Sequence, residues 1–128
     1  ATKLLRTGVI WKDFHLEVGK IMTSQLLKLG LLDKSDVQNE TTKNPAYKKY
    51  FMHGTSHHLG LNTHDYGLLH LPMEANMVFT VEPGIYIPEE RFGIRLEDDV
   101  VIQKSGAPIN LMSNIPIEAD EIEDLMNN

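Results

Sequence analysis

The residues Gly93-Ile-Arg-Leu-Glu-Asp-Asp-Val-Val-Ile102 alternate between polar and apolar side chains and then become fully apolar. This pattern is typical of a β-strand that enters a hydrophobic core. A second β-rich run covers Met77 to Val81, and turn signals occupy Pro88-Glu-Glu-Arg-Phe-Gly93 between the two runs. Because such turn residues join neighbouring strands, the sequence predicts an antiparallel hairpin here.

A helix is predicted upstream of these strands. Apolar residues recur at spacings of three and four, which places them on one helical face: Phe14, Val18, Ile21, Met22, Leu26 and Leu29. Asp13 is predicted to cap this helix, and Gly30 to end it. Shorter helices are predicted at residues 2–6, 46–51 and 117–126, and an exposed polar connection at residues 33–44. Helices followed by antiparallel strands predict an α+β domain.

The composition and net charge argue against several kinds of functional site and binding partner. The 128 residues suit one domain of ordinary size, and the lack of cysteine excludes disulfides, thiolate metal sites and a cysteine nucleophile. Twelve basic and eighteen acidic residues give a net charge of −6, which argues against binding to nucleic acid or to an anionic membrane. The sequence has no apolar run near the roughly 18 residues that a membrane span needs.

Five of the six histidines fall within eighteen residues, in and just after His53-Gly-Thr-Ser-His57-His-Leu-Gly-Leu-Asn-Thr-His64-Asp65. The small residues indicate tight backbone, and the histidines at spacings of four and seven indicate imidazoles directed into one space. For any single histidine here, a solvated loop that happens to contain histidine is the favoured interpretation. The three together, followed by Asp65, favour a site.

Carboxylates follow the predicted strands. Glu82 ends an apolar run immediately before Pro83-Gly84, and burying its charge is costly unless it is paired or binds metal. Strand alternation places Arg95, Glu97 and Asp99 on one face. A solvent-facing Glu82 and a surface ion pair of Arg95 with Glu97 are the simpler alternatives. Imidazole with carboxylates on neighbouring strands is nevertheless typical of a hydrolytic metal site for Mn²⁺, Zn²⁺ or Co²⁺.

Three motifs in this order carry a resemblance: His53 to Asp65, Val81-Glu-Pro-Gly-Ile-Tyr86 and Ile94-Arg-Leu-Glu-Asp-Asp99. They resemble the C-terminal half of the catalytic domain of Xaa-Pro aminopeptidase (aminopeptidase P), in the pita-bread metallopeptidase superfamily. Gly8-x-x-Trp11-x-Asp13-x-His15 also fits, so the resemblance covers nearly the whole chain. It implies that residues 1–128 form the second half of a pita-bread (creatinase/aminopeptidase-like) fold, with helices packed on a curved antiparallel sheet. The first half and the N-terminal domain would be absent.

The resemblance implies a metal centre. His57 and Glu82 would bind one metal ion, and Glu97 would bridge two. The cofactors implied are two divalent ions, with Mn²⁺ favoured and Co²⁺ or Zn²⁺ as alternatives. Two further aspartate ligands would come from the preceding repeat, upstream of Ala1, so the site is expected to be incomplete in this chain.

The resemblance also implies catalytic residues. His53 and His64 would act on the substrate by positioning the scissile carbonyl and the intermediate, and Arg95 would orient the carboxylates. His58 and His70 are interpreted as structural.

The activity implied is hydrolysis of the bond between an N-terminal residue and a following proline, so the partners are peptides with proline at the second position. Prolidase, which cleaves dipeptides ending in proline, is the enzyme alternative, and a non-catalytic peptide-binding pita-bread module is the other. Retention of His57, Glu82 and Glu97 favours a catalytic parent. The isolated chain is expected to be inactive and to form homo-oligomers through its exposed half-domain face. A cytoplasmic location is expected, with no nucleic acid or membrane partner.

Overall fold

The computed structural model describes residues 1–127. Along these residues, two α-helices come before the five strands and one follows them. The α-helices and strands are α1 (Trp11–Lys28), α2 (Lys34–Gln38), β1 (Val78–Val81), β2 (Gly84–Ile87), β3 (Phe92–Arg95), β4 (Asp98–Val101), β5 (Ile109–Asn110) and α3 (Ala119–Met126). Short 3₁₀ turns cover Thr2–Leu4, Ala46–Lys49 and Pro88–Glu90. The predicted order of helix and strand is confirmed. No helix of residues 1–127 is long and apolar enough to span a bilayer.

Helix α1 has the predicted apolar face, but its beginning differs from the prediction. Ile10 occupies the N-cap position without a side-chain cap, and Asp13 lies within the first turn, where its charge suits the positive end of the helix dipole. The prediction of Asp13 as the cap was therefore wrong. Gly30 adopts φ of 73°, a left-handed conformation that ends the helix as predicted. Ile21 and Leu29 are largely exposed, because they lie at the edges of the face that packs on the sheet.

The strands form one long hairpin with an interruption. Val81 lies opposite Asp98 in the first ladder, and Gly84 lies opposite Arg95 in the second, so the register is the same on both sides. Pairing stops between the ladders, where Pro83 has no N–H to donate. The predicted hairpin and its turn are confirmed, but the predicted continuous strand from residue 93 to residue 102 is two strands.

The other edge of β1 is covered by the histidine-rich segment. Thr80 N–H donates to the His57 carbonyl at 3.0 Å, and Glu82 N–H donates to the Thr55 carbonyl at 2.7 Å. Residues 55–59 therefore extend the sheet beyond β1, and this pairing sets His57 beside the end of the strand.

The core lies between α1 and this sheet. Its fully or almost fully buried members come from both layers and from the segments between them: Leu5, Phe14, Val18, Met22, Phe51, Met73, Phe79, Val81, Val100 and Ile102. A smaller cluster of Leu26, Leu32 and Tyr50 packs near the end of α1. Since burial of one such side chain contributes about 1.5–3 kcal/mol, this core fixes the sheet against α1.

Two segments predicted from polarity alone differ in the structure. Residues 33–44 contain α2, which begins with a capping box in which Asp33 accepts from the Asp36 N–H and Asp36 accepts from the Asp33 N–H. A five-residue helix is too short to show an apolar periodicity, so the polar composition of this segment gave no indication of α2. The predicted helix end at residues 2–6 is instead a 3₁₀ turn over Thr2–Leu4.

Candidate metal centre

Three acidic or imidazole side chains from separate segments converge at the interruption of the hairpin. Glu82 directly follows β1 and Glu97 directly precedes β4, so the common register sets them opposite each other. His57 comes from the neighbouring segment. One potential ligand atom from each of the three lies within 4.8 Å of the others. The structure thus brings together the three residues for which the resemblance implies metal binding.

The His57 ring has one nitrogen free to bind an ion. Its Nδ1 lies 2.9 Å from the carbonyl oxygen of His58, and since a carbonyl only accepts, Nδ1 carries the proton. The Nε2 lone pair then points at Oε1 of Glu82, 3.3 Å away. Two such acceptors repel unless a proton or a cation lies between them. Nitrogen and oxygen ligands about 2.1 Å from one ion in a tetrahedral site lie about 3.4 Å apart, so this pair fits a divalent metal.

Glu82 is held by further contacts. Its side chain is only 13% exposed. The Thr80 hydroxyl, two residues earlier on the same face of β1, donates to Oε1 at 3.3 Å and accepts from the His57 N–H at 3.0 Å. One buried hydroxyl therefore orients both His57 and Glu82, as is typical of groups that support metal ligands.

Arg95 lies between the two carboxylates. Its guanidinium is 3.6 Å from Oε2 of Glu82 and 3.9 Å from Oε2 of Glu97. Arg95 lies opposite Gly84 across the ladder of β2 and β3. At 42% exposure, Glu97 is the most accessible of the three converging residues and has room to reorient.

His53 is tied to β2 rather than to the carboxylates. Its Nδ1 donates to the carbonyl of Gly54 at 2.6 Å, and its Nε2 accepts from the Tyr86 hydroxyl at 2.9 Å. A Cβ at Gly84 would lie 2.8 Å from the Tyr86 hydroxyl and 3.0 Å from Nε2 of His53, so this close packing depends on a glycine. With both nitrogens engaged, His53 is fixed at the edge of the site.

His64 stacks on His57. Their ring centroids are 4.0 Å apart and the planes are inclined by 20°. Both rings border an open cleft of about 490 Å³ that is also lined by His53, Gly54, Ser56, Thr63, Glu82, Arg95 and Glu97. All six predicted site residues therefore face one cleft with room for a peptide segment.

The other histidines lie outside this cleft. His58 packs on Phe79, with ring centroids 4.3 Å apart, and stacks over Trp11. Burial lowers the pKa of His58, and it also lowers the pKa of His15, which packs beside Trp11. His70 is exposed.

Two residues of the site had no role in the sequence-based prediction. Thr80 and Tyr86 were visible in the motif that contains Glu82, and strand alternation places Thr80 on the same face as Glu82. That signal was available from the sequence. The contact of Tyr86 with His53 was not, because it joins residues 33 positions apart.

The chain matches a known protein family over most of its length. The sequence model of metallopeptidase family M24 matches residues 1–104. The chain belongs to this family. The α+β fold class and the recognition of the family are thereby confirmed.

The M24 relatives include Xaa-Pro aminopeptidases. The chain is 43% identical to Xaa-Pro aminopeptidase of Escherichia coli strain K12 over 97% of its own length and 30% of that protein. It is 39% identical to the Haemophilus influenzae enzyme of the same name, over 99% of this chain and 32% of that protein. The chain therefore spans about a third of the length of these relatives.

Solved structures agree with the sequence matches. A zinc-substituted E. coli aminopeptidase P in complex with product superposes with a TM-score of 0.79 at 40% identity, covering 98% of this chain and 31% of that one. Proline aminopeptidase P II from Yersinia pestis gives a TM-score of 0.80 at 37% identity, with the same coverage. The M24 chain therefore adopts the fold of one part of aminopeptidase P.

Proposed function

We propose that this chain supplies one side of the two-metal active site of an Xaa-Pro aminopeptidase. The observation that carries the proposal is the convergence of His57, Glu82 and Glu97 within 4.8 Å, with the free nitrogen of His57 directed at Glu82. In this proposal His57 and Glu82 would hold one ion, and Glu97 would hold that ion together with a second one. When bound, the ions polarise the scissile carbonyl and lower the pKa of the attacking water.

The centre needs ligands beyond those that residues 1–127 bring together. Zn²⁺ sites of this type take four ligands, and two ions that share a bridging carboxylate require more groups than three. We infer that the remaining ligands come from a part of the protein outside this sequence, as the resemblance implies. The 128 residues would then be the C-terminal half of a pita-bread catalytic domain.

The remaining site residues act on the substrate. His53, beside Tyr86, and His64, stacked on His57, face the cleft from two sides and would position the scissile carbonyl and the intermediate, with His53 exchanging its Tyr86 hydrogen bond for one to the substrate. Arg95 would keep Glu82 and Glu97 in position. Peptides with proline at the second position are the proposed substrates, by analogy with the names of the relatives.

The proposed resident ion is Mn²⁺, since two of the three groups are hard carboxylate ligands. The cytoplasmic location stays a prediction.

An exposed apolar stripe marks the proposed contact with the rest of the protein. Phe92 and Ile94 of β3 and Leu96, which follows the strand, are spaced two residues apart, and each is about half exposed. Such a stripe favours association with a partner surface. We propose that it packs against the remainder of the catalytic domain, and that it mediates self-association when these residues are expressed alone.

The test uses the full-length protein, stripped of metal and reloaded with Mn²⁺. We expect turnover of Ala-Pro-Ala but not of Ala-Ala-Ala, and loss of turnover together with one bound ion per chain in Glu82→Gln. Cleavage of the dipeptide Ala-Pro alone would assign prolidase instead. Metal-independent turnover, or peptide binding with no turnover, would contradict the proposed centre.

A further inference from the structure

Asp65 follows His64 directly and has no part in the proposed centre, yet its carboxylate organises the loop. Oδ2 accepts from the Leu61 N–H at 3.0 Å, and Oδ1 accepts from the Tyr66 N–H at 2.9 Å and from the Asn62 side-chain amide at 3.3 Å. These hydrogen bonds close residues 61–66 around one carboxylate, where no strand or helix pairs the backbone.

The backbone of Asp65 connects this loop to His57. The Asp65 N–H donates to the carbonyl of His58 at 3.0 Å. The same carbonyl accepts the Nδ1–H of His57 at 2.9 Å. A carbonyl oxygen has two lone pairs, so one atom fixes both the loop and the His57 ring.

The loop also determines where His64 lies. His64 is exposed, and its ring stacks on His57 at 4.0 Å between centroids. Because Asp65 is the next residue, movement of its backbone moves His64 as well. The positions of both stacked imidazoles, His57 and His64, therefore depend on Asp65.

The Asp65 carboxylate lies directly against Gly60. A Cβ at Gly60 would collide with Oδ2 of Asp65. A side chain at position 60 would thus displace the carboxylate without removing it.

We propose that Asp65 is a positioning residue for the His57–His64 pair, acting through the 61–66 loop and the carbonyl of His58. The proposal rests on the proposed function, because its catalytic readout needs turnover and its Co²⁺ readout needs metal bound at His57. Its readout on bound metal is independent of turnover, because His57 is fixed through the same carbonyl.

The test compares Asp65→Asn with Asp33→Asn in the full-length protein. Asp33 is a matched control, because its exposed carboxylate also accepts backbone N–H groups, at the start of α2. We expect Asp65→Asn to lower kcat on Ala-Pro-Ala by about 10–100-fold, as for other groups that support metal ligands. The visible absorption bands of the Co²⁺-loaded protein are expected to shift in Asp65→Asn and not in Asp33→Asn.

A double-mutant cycle separates positioning from general stabilisation. If Asp65 acts through His64 and His57, then Asp65→Asn in a His64→Ala background should lower the residual kcat by clearly less than the about 10–100-fold expected in the wild-type background, because coupled residues are not additive. Gly60→Ala, which keeps the carboxylate but displaces it, should reproduce the kcat loss and the Co²⁺ shift of Asp65→Asn.

Specific results would overturn the proposal. One is a kcat of the Asp65→Asn/His64→Ala double variant that falls by the full product of the two single losses. The other is a lowered Tm in Asp65→Asn with an unchanged kcat and an unchanged Co²⁺ spectrum. Absence of turnover in the wild-type protein would contradict the proposed function instead, and the Co²⁺ spectra would still decide the role of Asp65.

Discussion

Replacement of Thr80 by valine tests how the candidate centre is held together. Thr80 is 2% exposed, and its hydroxyl accepts from the His57 N–H at 3.0 Å and donates to Oε1 of Glu82 at 3.3 Å. Valine has nearly the same shape but no hydroxyl. The substitution therefore leaves the His57 N–H without its acceptor and removes one of the contacts that orient Glu82.

The expected cost follows from these two hydrogen bonds. A buried donor left unpaired costs about 1–3 kcal/mol, so Thr80→Val should lower the free energy of unfolding of the metal-free protein by that amount. Loss of a group that orients metal ligands typically weakens metal binding or activity by about 10–100-fold, so the Kd for Mn²⁺ should rise accordingly.

Thr80→Ser is the matched control, because it keeps the hydroxyl and loses only a methyl group. It should cost about 1 kcal/mol in stability through the cavity it leaves, with the Kd for Mn²⁺ almost unchanged. Equilibrium dialysis against chelator-buffered Mn²⁺ and urea unfolding of the full-length variants measure the two quantities. If Thr80→Val and Thr80→Ser bind Mn²⁺ equally well, then the hydroxyl does not orient the ligands and the reasoning fails.

Three further predictions concern the same site. In the full-length protein Glu97→Gln should lose both ions per chain and Glu82→Gln only one, because a bridging carboxylate holds two; equal losses by elemental analysis would remove the distinction. His53→Ala and His64→Ala should retain metal while losing turnover of Ala-Pro-Ala, and stoichiometric metal loss in either would identify it as a ligand. The 128 residues expressed alone should neither bind two ions nor cleave this peptide, and they should self-associate. Metal analysis checks the bound ions, a turnover assay checks cleavage, and ultracentrifugation checks self-association.

Periodicity and turn chemistry were sufficient to predict the main elements. The buried face of α1 and the hairpin follow from local spacing, and the structure has both. The helix α2 was missed, because its stability comes from the capping box of Asp33 and Asp36 rather than from an apolar face.

The site was less accessible to sequence reasoning than the fold. The motifs identified residues that the structure brings into one cleft, but not the contacts between them. The Thr80 hydroxyl serves two partners, and the His58 carbonyl accepts from both His57 and Asp65. The contact of Thr80 with His57 joins residues 23 positions apart, so it depends on how distant segments pair, and local sequence carries no signal for it.

Two glutamates, Glu82 and Glu97, lie opposite each other where Pro83 interrupts the hairpin. Like charges directly opposite each other on neighbouring strands are destabilising, and Glu82 is 13% exposed, which weakens its solvation. Arg95 lies 3.6 Å from one carboxylate and 3.9 Å from the other, so one positive charge is shared between two negative ones. In the proposed centre, a divalent cation would neutralise the remaining negative charge beside Nε2 of His57. The arrangement that lowers the stability of the metal-free chain is therefore the one that gives the proposed centre its affinity for metal.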